Sequence, residues 1–211
     1  MPPYRGIFLF YVTYLLLTLY KTIAIVMRTA LYFGSFNPLH YGHIAVAKYI
    51  MENCDIDRFV MVLSPHNPFK KTKDLEEPVA RLEALKKAVR EFNSKERIQN
   101  KINGHILRLE VSDVEFIMKE PLYTYKTLKY LHKIEPVTHF TIVVGADSYE
   151  AMPHWYKGDK ILEKYDIIVY PRKGSDVKEL CEKNGATYLE DAPMENISST
   201  EIREGKEKQG I

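Results

Sequence analysis

The sequence predicts a single doubly wound α/β domain, with a mainly parallel sheet and helices on both faces. Three observations predict it. Short, wholly apolar runs alternate with amphipathic stretches, as expected of strands buried on both faces and joined by helical crossovers. The first apolar run passes through a short turn directly into a helical stretch. Three of the predicted strands end in loops carrying Gly, Pro, His, Asp or Lys, and ligands of such sheets bind beyond the carboxyl ends of the strands.

The first unit is the most informative. Ala30-Leu31-Tyr32-Phe33 reads as a strand, GSFNPLHYGH at 34–43 as a turn, and IAVAKYIMENC at 44–54 as a helix. That turn is suited to holding phosphate. Glycines let the backbone approach a ligand closely, and Pro38 stiffens the turn. The helix behind it offers unpaired N–H groups and a partial positive charge. His40 and His43 add two ring donors, which at neutral pH share charge with a phosphate without being permanent cations. A histidine near a turn is often a simple cap, but the pairing and position here favour the phosphate role.

The remaining elements follow in order. Residues 60–63 (VMVL) form a buried strand and lead into the loop SPHNPFKK at 64–71. Residues 78–92 read as an amphipathic helix with Val79, Leu82, Leu85 and Val89 on its apolar face. Residues 93–105 are polar and read as loop. A strand is expected at 107–111, with Val114, Glu115 and Phe116 leading out of it. A helix at 123–134 has Thr124 near its start. FTIVV at 140–144 is the next strand, closed by Gly145-Ala146-Asp147. A short helix closes at 161–164, DIIVY at 166–170 is a strand, 180–183 lie in another short helix, and 187–189 form the last strand.

The totals bound the function. A chain of 211 residues suits one domain with a real core. A net charge of +2 does not imply nucleic-acid binding, and none is expected. Cys54 and Cys181 match no metal spacing and read as small buried thiols, in keeping with the cytoplasm. Residues 1–26 are set apart as an apolar extension. Within them 7–20 form an uncharged run of fourteen, short of the ~20 residues a membrane span needs. It has the length of a signal-peptide core but no clean cleavage site follows. The favoured reading is an upstream start, with Met27 opening the domain at 27–211. A membrane partner is expected only if the extension is a genuine anchor.

Near the other end stands NISSTEIRE at 196–204. Ser198 and Glu201 have capping-box spacing, so a helix is expected to start there. Its first turn exposes N–H groups and the hydroxyls of Ser199 and Thr200, with Arg203 one turn on. Capping boxes are common, and this one gains weight only beside GSFNPLHYGH, because a triphosphate needs more than one anion cradle.

HYGH at 40–43 and ISSTEIR at 197–203 together resemble the nucleotidyltransferase α/β-phosphodiesterase superfamily, which has a Rossmann-like fold and carries HxGH after its first strand and ISSTxIR late in the chain. Within it the chain is most similar to the bacterial nicotinate-nucleotide adenylyltransferases, on PLYTYKTL at 121–128, VVGADSYEAMPHWYKGDKIL at 143–162 and YPRKG at 170–174. Pantetheine-phosphate adenylyltransferases usually carry Thr where His40 stands, and cytidylyltransferases of this fold match the later segments less well. A non-catalytic nucleotide-binding protein is the alternative of another class, disfavoured by the intact histidines.

The resemblance implies transfer of AMP from ATP to nicotinate mononucleotide, giving deamido-NAD and pyrophosphate. It implies His40, His43 and Arg203 as the catalytic set. ATP would meet Gly34, Ser35, Phe36, Lys70, Gly145, Asp147, Ser199 and Thr200. The mononucleotide would meet Thr124, Trp155 and Arg172. Mg²⁺ would be held mainly through the ATP phosphates, without a protein metal site. The family often has PPHK where this chain has SPHNPFKK, which leaves Lys70, Lys71 and His66 as rivals for the phosphate. Asp147 could equally be a helix N-cap, and Trp155 could be core. The chain stops soon after ISSTEIR, where the family usually continues with another helical segment. Neither oligomeric state nor acid-versus-amide preference is legible.

Overall fold

A computed structural model describes residues 26–66 and 77–194. The apolar run near the N-terminus, Lys70, Lys71 and the segment carrying Ser199, Thr200 and Arg203 lie outside the described residues. In chain order the elements are β1 (Arg28–Gly34), α1 (Tyr41–Asn53), β2 (Arg58–Leu63), α2 (Pro78–Lys95), β3 (Ile98–Gln99), β4 (Ile106–Leu107) and β5 (Leu109–Ser112). A 3₁₀ turn (Val114–Ile117) leads to α3 (Thr124–Ile134), β6 (His139–Gly145) and α4 (Ala146–Ala151). A second 3₁₀ turn (Met152–His154) precedes α5 (Gly158–Lys164), β7 (Asp166–Tyr170), α6 (Lys178–Asn184) and β8 (Thr187–Tyr188).

Six strands form one sheet in the order β5-β2-β1-β6-β7-β8, and every neighbouring pair is parallel. Strand side chains alternate between two cores. Ala30, Tyr32, Phe59, Met61 and Leu63 point to one face, where they meet Val46, Ile50 and Met51 of α1 and Leu82, Leu85 and Phe92 of α2. Leu31, Val60, Val62, Ile142 and Val144 point to the other, with Leu128 and Leu131 of α3, Tyr149 of α4, Ile161 of α5 and Cys181 of α6. This is the doubly wound layering the alternating pattern predicts, and it explains why the strand runs are apolar without a period of two. Both cysteines are free and buried. No helix among the described residues is long and apolar enough to cross a membrane.

The strand order reverses between β1 and β6. Tyr32 pairs with Val143, so Gly34 and Gly145, each two residues on, stand level at the carboxyl edge. Gly34 also pairs with Leu63 of β2, and the next N–H, that of Ser64, donates to the Gly34 carbonyl at 2.9 Å. A crevice at such a reversal is where open α/β sheets take their ligands.

Two expectations are corrected. Residues 93–105 are not plain loop: α2 runs on to Lys95, and β3 pairs antiparallel with β4. Asparagines order this stretch. The Asn100 side chain, 1 % exposed, donates to the carbonyls of Met51 and Cys54 at 2.8 and 2.7 Å and accepts from the N–H groups of Ile102 and Asn103. Asn93 exchanges a reciprocal pair of bonds with the backbone of Leu109. Polar side chains that satisfy buried backbone in this way look like loop residues to a hydropathy reading. The second correction lies on α2. Val79 is 63 % exposed, whereas Arg81 is 1 % exposed and shares the buried stripe with Leu82, Leu85, Val89 and Phe92.

Gly158 supplies a direct test of the packing between α5 and the turn before it. A methyl group there would run into the Met152 carbonyl and the Pro153 backbone. Gly158→Ala is expected to cost about 1–3 kcal/mol by overpacking, read as a lowered urea midpoint with an unchanged denaturant slope.

Candidate active site

The turn after β1 is sharper than its glycines suggested. Phe36, not a glycine, takes the left-handed conformation, with φ 44°, a backbone state uncommon outside glycine. Gly34 keeps ordinary backbone and instead makes room: a methyl group on it would stand 2.8 Å from the Phe36 ring. That ring packs edge-on against His43 and Tyr32, at centroid distances of 5.1 and 5.7 Å. A local strain is thereby held by aromatic packing beneath the turn.

His40 is the extended N-cap of α1 and His43 stands in its first turn. The His40 N–H donates to His43 Nδ1 at 3.3 Å, and the His43 N–H donates to the His40 carbonyl at 3.0 Å. An accepting Nδ1 leaves the His43 proton on Nε2. The two rings lie 3.8 Å apart. His40 is 2 % exposed, and its Nδ1 is buried without a hydrogen-bond partner among the described residues. Burial, reinforced by the nearby Arg172 charge, pushes its pKa down to about 4. In the free protein His40 is therefore neutral at pH 7.

Gly145 ends β6 and caps α4. A methyl group on it would come within 2.7 Å of Asp147 Oδ1 and 3.1 Å of Arg172 Nε. Asp147 sits inside the first turn of α4, so it is not the N-cap. Arg172 belongs to this side of the site: it hydrogen-bonds Tyr32 and lies close enough to His40 to bias its charge.

Beside Gly34 opens a cleft of about 490 Å³, within the range of small-molecule sites. Phe33, Gly34, Ser64 and His66 form one wall, Leu122, Tyr123 and Thr124 another, and Asp147, Ser148, His154, Trp155 and Tyr156 a third. Thr124 and Trp155 thus face one cavity, while Arg172 does not line it. Trp155 is half-buried and also packs on the core behind α4, so cleft wall and core are both true of it. At the rim Tyr123 and Tyr156 stack at 4.5 Å, with Lys126 5.2 Å from the Tyr123 ring and Lys157 5.4 Å from that of Tyr156. His66 lies 3.5 Å from Glu120. Among the described residues no cluster of three or more His, Cys, Asp or Glu could hold a metal ion.

Two buried charged residues were not found in the sequence as site residues. Glu115, 3 % exposed, lines the cleft and accepts from Thr127 Oγ1 at 2.7 Å. Burial raises its pKa, and hydrogen bonds from Thr127 and Ser64 oppose that rise. Arg81 reaches from α2 to three backbone carbonyls: Nη1 donates to Ser35 at 2.6 Å and Ser64 at 3.2 Å, and Nη2 to Pro65 at 2.7 Å. Its signal was present in the sequence, as a charge on the apolar stripe of an amphipathic helix.

The cytidylyltransferase-like family pattern matches residues 31–205, a span that contains both the HYGH turn and ISSTEIR. The chain belongs to the cytidylyltransferase-like family. Within this family it is 36 % identical over 185 residues to a protein of Porphyromonas gingivalis named "probable nicotinate-nucleotide adenylyltransferase", covering 86 % of this chain and 87 % of that one. A protein of Flavobacterium psychrophilum with the same name is 34 % identical, covering 88 % and 90 %. These relatives place the chain in the nicotinate-nucleotide adenylyltransferase branch of the cytidylyltransferase-like family. Among solved structures, a Plasmodium falciparum nicotinic acid mononucleotide adenylyltransferase complexed with NaAD has a TM-score of 0.68 at 22 % identity, covering 86 % of this chain and 85 % of that one. At that identity it shows the shared fold of the cytidylyltransferase-like family.

The depressed His40 pKa has a definite sign. The unfolded chain protonates this ring near 6.5, the folded one near 4. The stability it contributes is therefore full above about pH 6.5 and is lost as pH falls toward 4. An anion beside the ring favours its charged form. In an NMR titration the free protein should hold His40 neutral down to about pH 4, and ATP should move that midpoint upward.

Proposed function

We propose that this chain transfers AMP from ATP to the 5′-phosphate of nicotinate mononucleotide, releasing pyrophosphate and forming deamido-NAD. The observation that carries this reading is that Gly34, the first residue of the turn that leads to HYGH, lines a cleft at the strand-order reversal together with Thr124 and Trp155, while His40 and His43 lie outside that lining. The names of the relatives supply the pyridine nucleotide; the geometry supplies room for it beside a phosphate-holding turn.

The nucleophile is an anionic phosphate oxygen, so no general base and no covalent intermediate are needed. That oxygen bonds to the α-phosphorus of ATP while the bond to the β-phosphate bridge breaks, and the electron pair leaves with pyrophosphate. The protein has to juxtapose two anions and neutralise charge growing around the α-phosphorus. His43, a donor through Nε2, and His40, neutral until an anion arrives, serve that task with the N–H groups at the start of α1. The left-handed Phe36 aims the turn. Gly145 gives close approach to the ribose side of ATP, with Asp147 as hydroxyl acceptor.

Arg172, expected beside the mononucleotide, is read here as an ATP-side cation, because it stands with His40 and Gly145. Lys70, Ser199, Thr200 and Arg203 are assigned to the triphosphate on their motifs alone. Mg²⁺ is expected on the phosphates, since this hard cation keeps phosphate and water oxygens and needs few protein ligands. Trp155 and the tyrosines at the rim offer flat faces to the pyridine ring. The buried free thiols suit a cytoplasmic setting.

The test is a direct assay. Purified protein with ATP, Mg²⁺ and nicotinate mononucleotide should release pyrophosphate and form the dinucleotide; absence of both products would refute the reading. His43→Ala should lower kcat by about 10²–10³-fold, the usual cost of one donor to developing charge, with little change in melting temperature. Trp155→Ala should act chiefly on the mononucleotide, raising its KM about fivefold while the KM for ATP holds, as expected on losing roughly 1 kcal/mol of aromatic contact.

A further inference from the structure

Arg81 stands outside the machinery described above, yet it touches that machinery through backbone. It projects from the first turn of α2, is 1 % exposed, and its guanidinium donates to the carbonyls of Ser35, Ser64 and Pro65. Ser35 belongs to the phosphate turn after β1. Ser64 and Pro65 open the loop after β2, which carries His66 into the cleft. A backbone bond from the Ser64 N–H to the Gly34 carbonyl joins the same two segments.

A planar fork of five donors bridges several acceptors at fixed angles, which a lysine ammonium on its flexible stem does not reproduce. Burying a charge is costly unless hydrogen bonds satisfy it, and methionine or leucine would fill the same stripe of α2 without that cost. The place of the charge, directly under the carbonyls that shape the anion turn, gives the cost a purpose. It ties the entry of the turn, at the Ser35 carbonyl, to the start of the loop after β2.

We propose that Arg81 is the positioning residue of the ATP half of the site: its fork locks the Ser35 turn to the Ser64–Pro65 loop and holds the turn in its phosphate-binding shape. This rests on the reading of the turn as the triphosphate site. Arg81 itself does not touch substrate. Its loss affects ATP, whose phosphates meet the turn, more than the mononucleotide, whose ring lies against Thr124 and Trp155.

The test compares wild type with Arg81→Lys, Arg81→Met and Leu85→Ala, the last a core truncation one turn along the same helix. Melting temperatures are measured first. Kinetics with Mg-ATP and nicotinate mononucleotide, each varied, and calorimetric binding of ATP then follow well below every melting point. Both Arg81 variants should lose about 10²-fold in kcat/KM for ATP, the scale of an ångström-sized misplacement, while KM for the mononucleotide stays near wild type. Leu85→Ala should lose stability with near-normal kinetics. If Arg81→Met does not fold, Arg81→Lys, which keeps charge and stem, carries the comparison alone. Wild-type ATP parameters in Arg81→Lys, or losses that affect both substrates equally and track melting temperature as in Leu85→Ala, would overturn the proposal. If the wild type neither binds ATP nor releases pyrophosphate, the triphosphate reading itself falls, and the positioning role with it.

Discussion

Parallel pairing of β1 with both β2 and β6 is the constraint on which the site depends. It sets Gly34 level with Leu63 on one side and, by continuation of the Tyr32–Val143 pair, with Gly145 on the other. Three chain segments from distant parts of the sequence therefore leave the sheet side by side. The helices that follow β1 and β6 start at this edge, so their N–H ends face the same crevice. A one-residue slip in either pairing would turn Tyr32 to the opposite core and separate the turn from Gly145.

Below that edge the packing is arranged to hold a strained shape. Phe36 in its left-handed state fits over Gly34 and against His43 and Tyr32. Tyr32 is buried and bonded to Arg172, and Arg172 in turn reaches the space beside Gly145. Arg81 holds the backbone from behind. On the other side Glu115 joins Ser64 to Thr127 of α3, whose first turn walls the cleft. One network of backbone and buried polar groups thus runs from the proposed phosphate turn to the proposed pyridine pocket, and satisfied networks of this kind favour one arrangement over its neighbours.

Much of this was legible in the sequence. The apolar strand runs gave the sheet, and β7 was placed at its observed bounds, because buried parallel strands carry an unbroken apolar signal. HYGH marked the turn now proposed to hold phosphate. Most of what was missed consists of polar residues used internally. Asn93 and Asn100 read as loop though they bond buried backbone. Arg81 was not singled out, and Val79 was counted on the expected apolar face. Phe36 was expected in the ATP-binding turn, but its left-handed backbone was not legible, because nothing in a residue type announces a positive φ outside glycine. Arg172, expected on its motif beside the mononucleotide, is proposed on the ATP side because it lies near Gly145 and His40.

In this account the protein contributes geometry and charge, not a covalent partner, to phosphoryl chemistry between two anions. The stereochemistry at the α-phosphorus tests that most directly. With ATP chiral at the α-phosphorus through sulfur substitution, a single in-line displacement by nicotinate mononucleotide gives a dinucleotide of inverted configuration. Inversion is the result predicted here. Retention would require two displacements and a covalent nucleotidyl intermediate, and would contradict a site that acts by juxtaposition alone.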